Sequence, residues 1–391
     1  MNQRDFSELR RRLNPDKRNQ HVIRGCYVSH EGQVISTFAQ PLYGMAQEEV
    51  EKYMAIFKKT LSGTANQNLL PVEFTARQTM EGEDHKLLLD LRATALKDDM
   101  AVNEFYEKAI TYIQAMKEQE VQSVEAAQTA CNYLILLTYD GYDVPYKDGN
   151  DEADADRSTD VFSYILCAVC PVKPTKPALG YYAAEGEFHN KPSDWMVAMP
   201  ELGFLFPTFE ERSANIYNAM FYTRDSANLH DEFMKAIFGA EPQMPASTQK
   251  ETFQAVLQES LQEECSLDVM QAVHETVSSM IEERKADKHA EPLRLTRQDV
   301  KDVLESSGVS QEKMDAFDQQ YTQAFGAYTE LPAVNMVTPR SFKVNTPSVT
   351  INVDPAHSDL IETRIIDGRR YILVLADGDV AVNGVNVTIG E

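Results

Sequence analysis

Apolar positions alternate between helical and strand spacing along the chain. Phe6, Leu9 and Leu13 mark a short opening helix over residues 6–13, broken at Asn14-Pro15. Residues 22–38 read as two strands joined by a turn at His30-Glu31-Gly32. Val50, Tyr53, Met54, Phe57 and Leu61 then recur at helical spacing over residues 48–61, which Gly63 closes. A strand is expected near residues 71–75. Helices are expected over 85–96 and 98–116, the second with Val102, Phe105, Tyr106, Ala109, Ile110 and Ile113 on one side and a polar continuation to Gln128.

The texture changes at residue 133. Residues 133–139 and 161–169 are short runs of aliphatic, β-branched and aromatic side chains, the signature of buried strands. Between them, residues 147–160 form an acidic, small-residue loop. Residues 195–206 read as a strand interrupted by Pro200 and Gly203, followed by helices over 213–222 and 227–238, the latter ended by Gly239.

Residues 247–326 are helical in pattern. Phe253, Val256, Leu257 and Leu261 form one stripe, and Leu267, Met270, Val273, Val277, Met280 and Ile281 a second. Thr296-Arg-Gln-Asp299 is a capping-box signature for a helix to Glu305, and Gly308 separates it from a helix beginning at Ser310. The last stretch alternates as β-structure, with Asp367-Gly368, Asp377-Gly378 and Asn383-Gly384 supplying the positive-φ residues of tight hairpins. The expected class is α+β, with a mixed amino-terminal α/β part, a central helical segment and a small carboxyl-terminal antiparallel β-domain. The corresponding regions are 1–128, 129–245, 246–330 and 331–391.

The chain has 391 residues, 43% of them hydrophobic, which is enough for a buried core and too many for wholesale disorder. Its mean hydropathy is −0.40, and no apolar run reaches the roughly 18 residues of a membrane span. The polar amino terminus lacks the apolar stretch of a secretory signal. Five cysteines without dense spacing suit reduced thiols in a cytoplasm. The net charge of −24 is unevenly spread. Residues 1–24 hold seven cations against three anions, so this +4 stretch leaves −28 on the rest. An acidic body repels nucleic acid at long range. Polyanion binding therefore points to Arg10, Arg11, Arg12, Lys17 and Arg18; the alternative is that these arginines pair with acids elsewhere and favour the helix's carboxyl end.

Other motifs weigh less. Cys167-Ala-Val-Cys170 lies in a strand pattern, where residues i and i+3 face opposite ways, so core thiols are expected rather than a redox pair or zinc site. A loop starting at Asp148 lacks the glycine and the terminal acid of a calcium-binding EF-hand. His230-Asp231 has the form of a metal-phosphohydrolase doublet, yet His189, His274 and Asp268 offer no convincing spacing; a polar helix face is the simpler expectation. The helix pair after Thr296 has helix-turn-helix proportions, but Glu312, Asp315 and Asp318 give the second helix the wrong charge for a major groove. Residues 188–225 gather the only tryptophan with Arg212, Tyr217 and Tyr222, a composition suited to an interface.

Four motifs carry a resemblance over nearly the whole length: Ile23-Arg-Gly-Cys-Tyr-Val28, Phe162-Ser-Tyr-Ile-Leu-Cys167, Pro200-Glu-Leu-Gly-Phe-Leu-Phe206 and Arg212-Ser-Ala-Asn-Ile-Tyr-Asn218. Through them the chain resembles a bacterial family defined as a domain of unknown function, which implies no activity. In the order of its segments it is distantly similar to the bacterial nucleoid-associated proteins. The markers are the helix at residues 105–113, the strands at 133–139 and 161–169, the segment Asp231-Glu-Phe-Met-Lys-Ala-Ile-Phe-Gly-Ala-Glu241, the helical hairpin and the final β segment. That resemblance implies a cytoplasmic, self-associating, non-enzymatic protein and transfers no site or cofactor.

Three functions follow as expectations. The first is a non-catalytic homo-oligomer touching nucleic acid through the basic amino terminus. The second is an acidic regulatory or scaffold protein that binds a protein partner around Trp195 and Tyr222. The third is a metal-dependent hydrolase using His189, Asp194 and Glu201.

Overall fold

The computed structural model describes residues 1–16, 22–120, 131–143, 146–147, 153–154, 161–210, 213–240, 244–287, 290–339, 341–376, 378, 380–382 and 385–387. The chain divides into two compact units, Met1–Pro245 and Ala246–Glu391.

The first unit opens with α1 (Gln3–Arg12), β1 (Val22–Val28), β2 (Val34–Pro41), α2 (Gln47–Thr60) and β3 (Leu69–Glu73). Helices α3 (Ala76–Glu81), α4 (Glu83–Ala93) and α5 (Asp99–Glu120) follow. Then come β4 (Asn132–Asp143), the short pair β5 (Tyr146–Lys147) and β6 (Ala153–Asp154), and the long β7 (Val161–Pro174). Next are β8 (Ala178–Tyr182), β9 (Glu187–Lys191), β10 (Trp195–Val197), β11 (Leu202–Phe206), β12 (Thr208–Glu210), β13 (Ser213–Asn215), β14 (Asn218–Thr223) and α6 (Asp231–Phe238).

One antiparallel sheet organises this unit, in the order β2-β1-β4-β7-β11-β14-β3, with β10 alongside the far end of β7. The regions 1–128 and 129–245 thus contribute strands to the same sheet. Its central strands are apolar at consecutive positions because helices cover both faces. Ile165, Cys167 and Val169 of β7 point into a core shared with α4, α5 and α6. Tyr164, Leu166, Ala168 and Cys170 point into a second core with α1 and α2. The two cysteines of the C-x-x-C therefore lie on opposite faces, both fully buried and both free thiols. Burial pushes both thiols up, Cys170 to about 12.

Three local expectations are corrected. Residues 213–222 form β13 and most of β14, not a helix. Ala219 and Phe221 enter one core while Met220 and Tyr222 enter the other. A strand buried on both faces is apolar throughout, which periodicity alone does not separate from a helix. Gly203 does not interrupt its strand but sits inside β11, opposite Ala168. α6 begins at Asp231 rather than 227. Asp225 accepts from the Ala227 N–H and Asn228 from the His230 N–H, local bonds that compete with helix formation.

The second unit contains α7 (Ala246–Leu261), α8 (Leu267–Ala286), β15 (Arg294–Leu295), α9 (Arg297–Ser306), α10 (Gln311–Phe325), β16 (Leu331–Pro332) and α11 (Ala333–Met336). Phe253, Leu257, Leu261, Val273, Val277, Ile281, Leu304, Phe317 and Tyr321 make its core. Thr296 and Asp299 form the reciprocal capping box at α9. Asp318 of α10 meets Arg297 and Lys301 of α9 at 3.3 and 2.6 Å, which fixes the two helices as a hairpin.

The carboxyl-terminal β-structure comprises hairpins of β17 (Phe342–Asn345) with β18 (Thr350–Val353), β19 (Ile361–Ile366) with β20 (Arg369–Val374), and β21 (Val380–Val382) with β22 (Val385–Val387). Asp367 and Gly368 both have positive φ, as the β19–β20 turn requires. Asp377 and the Asn383-Gly384 pair lie outside the described residues. Among the described residues no helix is long and apolar enough to cross a membrane.

Candidate functional site

The basic amino-terminal helix is built as its sequence dictates. Asn2 caps α1 and Asp5 reciprocates, so the first orphan N–H groups are satisfied. Phe6, Leu9 and the following Leu13 bury on one side, each stabilising by about 1.5–3 kcal/mol. Arg10, Arg11 and Arg12 occupy the last turn, where the helix dipole favours cations.

The three arginines then part company. Arg12 turns inward. Its Nε donates to Asp140 Oδ2 at 2.8 Å and its Nη2 to Oδ1 at 3.2 Å. Asp140 is fully buried on β4 and also accepts from the Tyr164 hydroxyl at 3.0 Å. Arg12 is therefore removed from the expected phosphate contacts: its charge serves a buried carboxylate. Arg10 donates to Ser7 Oγ at 3.2 Å, and Arg11 is exposed. With Asn14 and Lys58 of α2 they line an open surface groove. Among the described residues this lining carries no carboxylate. Asp16 and Glu51 lie in an adjoining depression that shares Asn14 and Lys58. Lys17 and Arg18 lie outside the described residues. Lys58 was missed in the sequence because it sits in a mixed-charge helix; only the fold brings it beside Arg10 and Arg11.

The aromatic region does not form one surface. Tyr222 is 1% exposed near the end of β14, so it is core and not an interface residue. Tyr217 is exposed in the turn before β14, and Arg212 lies outside the described residues. Trp195 is exposed on β10, at the base of the β8–β9 hairpin. His189, Asp194 and Glu201 are not brought together as a hydrolase site. His189 pairs with Glu185 and Glu187 at 3.0 and 3.5 Å. Asp194 lies five residues away along extended chain, about 16 Å, and its carboxylate accepts from the Trp195 N–H. Glu201 lies beyond β10, just before β11.

His230 is not on a polar helix face. It is 5% exposed, has positive φ, and its Nδ1 lies 2.5 Å from the Tyr112 hydroxyl of α5. Burial lowers its pKa to about 4, which makes it a neutral core histidine near neutral pH. Among the described residues no group of three or more His, Cys, Asp or Glu side chains is arranged to hold a metal ion. Most of the 148–160 acidic loop lies outside the described residues.

The family profile described as "Domain of unknown function (DUF4317)" matches residues 1–385, which takes in both units. The chain belongs to that family. No curated protein matches it. Membership spans the basic helix, the sheet and the carboxyl-terminal hairpins alike, and brings no assigned reaction or ligand.

Proposed function

We propose that this protein is a non-catalytic, cytoplasmic nucleic-acid-binding protein, with Arg10, Arg11 and Lys58 as its described phosphate contacts. The supporting observation is the groove in which two helices present three cations beside Ser7 and Asn14. Backbone phosphates need cations and hydrogen-bond donors without a competing carboxylate, and such contacts carry little sequence information. The acidic remainder of the chain limits the footprint to this local patch and keeps binding weak.

The test is binding to DNA and RNA fragments across a salt series. Three phosphate contacts give a log–log slope of about −2.7, an affinity loss of about 40-fold between 50 and 200 mM salt. The triple variant Arg10→Ala, Arg11→Ala, Lys58→Ala should be nearly flat. No binding by the wild type at low salt overturns the proposal and directs attention to a protein partner.

A further inference from the structure

The groove and the depression beside it form one concavity with two chemically different ends, since Asn14 and Lys58 line both. Gln47, Glu51, Met54, Ala55 and Lys58 follow one another at helical spacing, so a single face of α2 supplies the wall from end to end. Glu51 and Lys58 stand about 10 Å apart along the helix axis. The two parts hold about 640 and 440 Å³, within the range of small-ligand sites.

The cationic end suits a phosphate, and the other end does not. There Asp16 and Glu51 supply two carboxylates, with Pro15, Met54 and Ala55 as the apolar wall. Gln47 Nε2 donates to Glu51 Oε1 at 3.3 Å, which steadies that carboxylate. Among the described residues neither Asp16 nor Glu51 is ion-paired with Lys58 or with any other cation. An ionised carboxylate only accepts hydrogen bonds, so this end takes N–H donors and repels a second phosphate.

We infer that the concavity holds one nucleotide with an unpaired guanine base, an assignment that rests on Arg10, Arg11 and Lys58 binding phosphate. The phosphate sits among those cations, and the base reaches along α2, over Met54 and Ala55, toward Glu51 and Asp16. Guanine alone among the common bases carries two adjacent donors on its pairing edge, N1–H and the 2-amino group, the pattern that one carboxylate accepts with both oxygens. Cytosine and adenine set an amino group beside an acceptor nitrogen, and uracil and thymine flank one N–H with carbonyls; a carboxylate repels those acceptors. That edge is occupied in a duplex, so the ligand is a single strand or a free mononucleotide. Phosphate then supplies affinity, and the carboxylates choose the base.

Fluorescence anisotropy of the full chain tests this with uridine strands of equal length, either plain or carrying one guanosine, adenosine or inosine. Guanosine should tighten binding at least about tenfold over the plain strand. Adenosine and inosine, neither of which offers both donors, should not. Glu51→Gln/Asp16→Asn should reduce the guanosine ratio to about twofold or less. Both residues are exposed, so core packing is undisturbed. The ratio is the readout because loss of negative charge alone strengthens every strand alike. Guanosine monophosphate should displace the labelled strand: parity assigns the site to the free nucleotide, and competition at least about tenfold weaker assigns it to the strand, each in support of the inference. Equal binding of all four strands, a preference shared by adenosine, or a ratio unchanged in the variant overturns the inference and leaves the phosphate contacts standing. Failure of every strand to bind at low salt removes the phosphate contacts and overturns the inference with them.

Discussion

Arg12 and Asp140 are joined by two hydrogen bonds, from Nε at 2.8 Å and Nη2 at 3.2 Å, across 128 residues of sequence. The pair fastens the end of α1 to the middle of the sheet. Removing one member of a buried pair leaves the other charged and desolvated, at a cost of about 3–5 kcal/mol. Arg12→Ala should therefore lower the denaturant midpoint sharply. Arg11→Ala, one residue away and exposed, should change stability by no more than about 0.5 kcal/mol. Urea unfolding of both variants makes the comparison.

For nucleic acid, the contributions should separate by residue. Each of Arg10→Ala, Arg11→Ala and Lys58→Ala should reduce the salt slope by about 0.9. Ser7→Ala, which removes no charge, should leave the slope unchanged while loosening the Arg10 guanidinium it now holds. Fluorescence anisotropy at four or five salt concentrations distinguishes these outcomes.

His230 should make stability depend on pH. Its folded pKa of about 4 lies below the ordinary value of 6.5 because burial disfavours the charged ring. Between those values the unfolded chain binds more protons, so stability rises with pH. The contribution, about 3 kcal/mol, is complete above pH 6.5 and lost as pH falls towards 4. His230→Asn keeps a residue tolerant of positive φ and should flatten this dependence. Urea midpoints of both proteins from pH 4 to 7.5 provide the check.

Gly203 is a site of close approach. A Cβ there would lie 2.3 Å from the Cys167 carbonyl oxygen and 2.8 Å from Thr60 Cγ2 at the end of α2. A backbone oxygen in a central strand cannot step aside. Gly203→Ala should destabilise by about 1–3 kcal/mol, with the loss measured by thermal unfolding and relieved in part by Thr60→Ser.

Much of this fold was legible where one physical signal dominated. Val50, Met54, Phe57 and Leu61 marked α2, Thr296 and Asp299 marked the start of α9, and the two-faced strand pattern put Cys167 and Cys170 in separate cores. Legibility failed where burial on both faces erased the period, as at Ala219–Tyr222, and where the local pattern gave no partner. Arg10, Arg11 and Arg12 are alike in sequence; only Asp140, far along the chain, makes one of them structural. The β8–β9 hairpin did carry a signal, two short aromatic segments around Ala183-Ala-Glu-Gly186, but its exposure could be known only from what does not pack against it.

The strand order has a consequence for how the chain is made. β2 and β1 form one margin of the sheet and β3 the other, yet all three precede every strand that lies between them. During synthesis both margins leave the ribosome first and have no lattice to join. Leu70 must wait for Phe221, its partner in β14, before its side of the sheet exists. The first unit is therefore completed from the outside inward, and a nascent chain stalled before β14 would display two orphaned edges for a chaperone to hold.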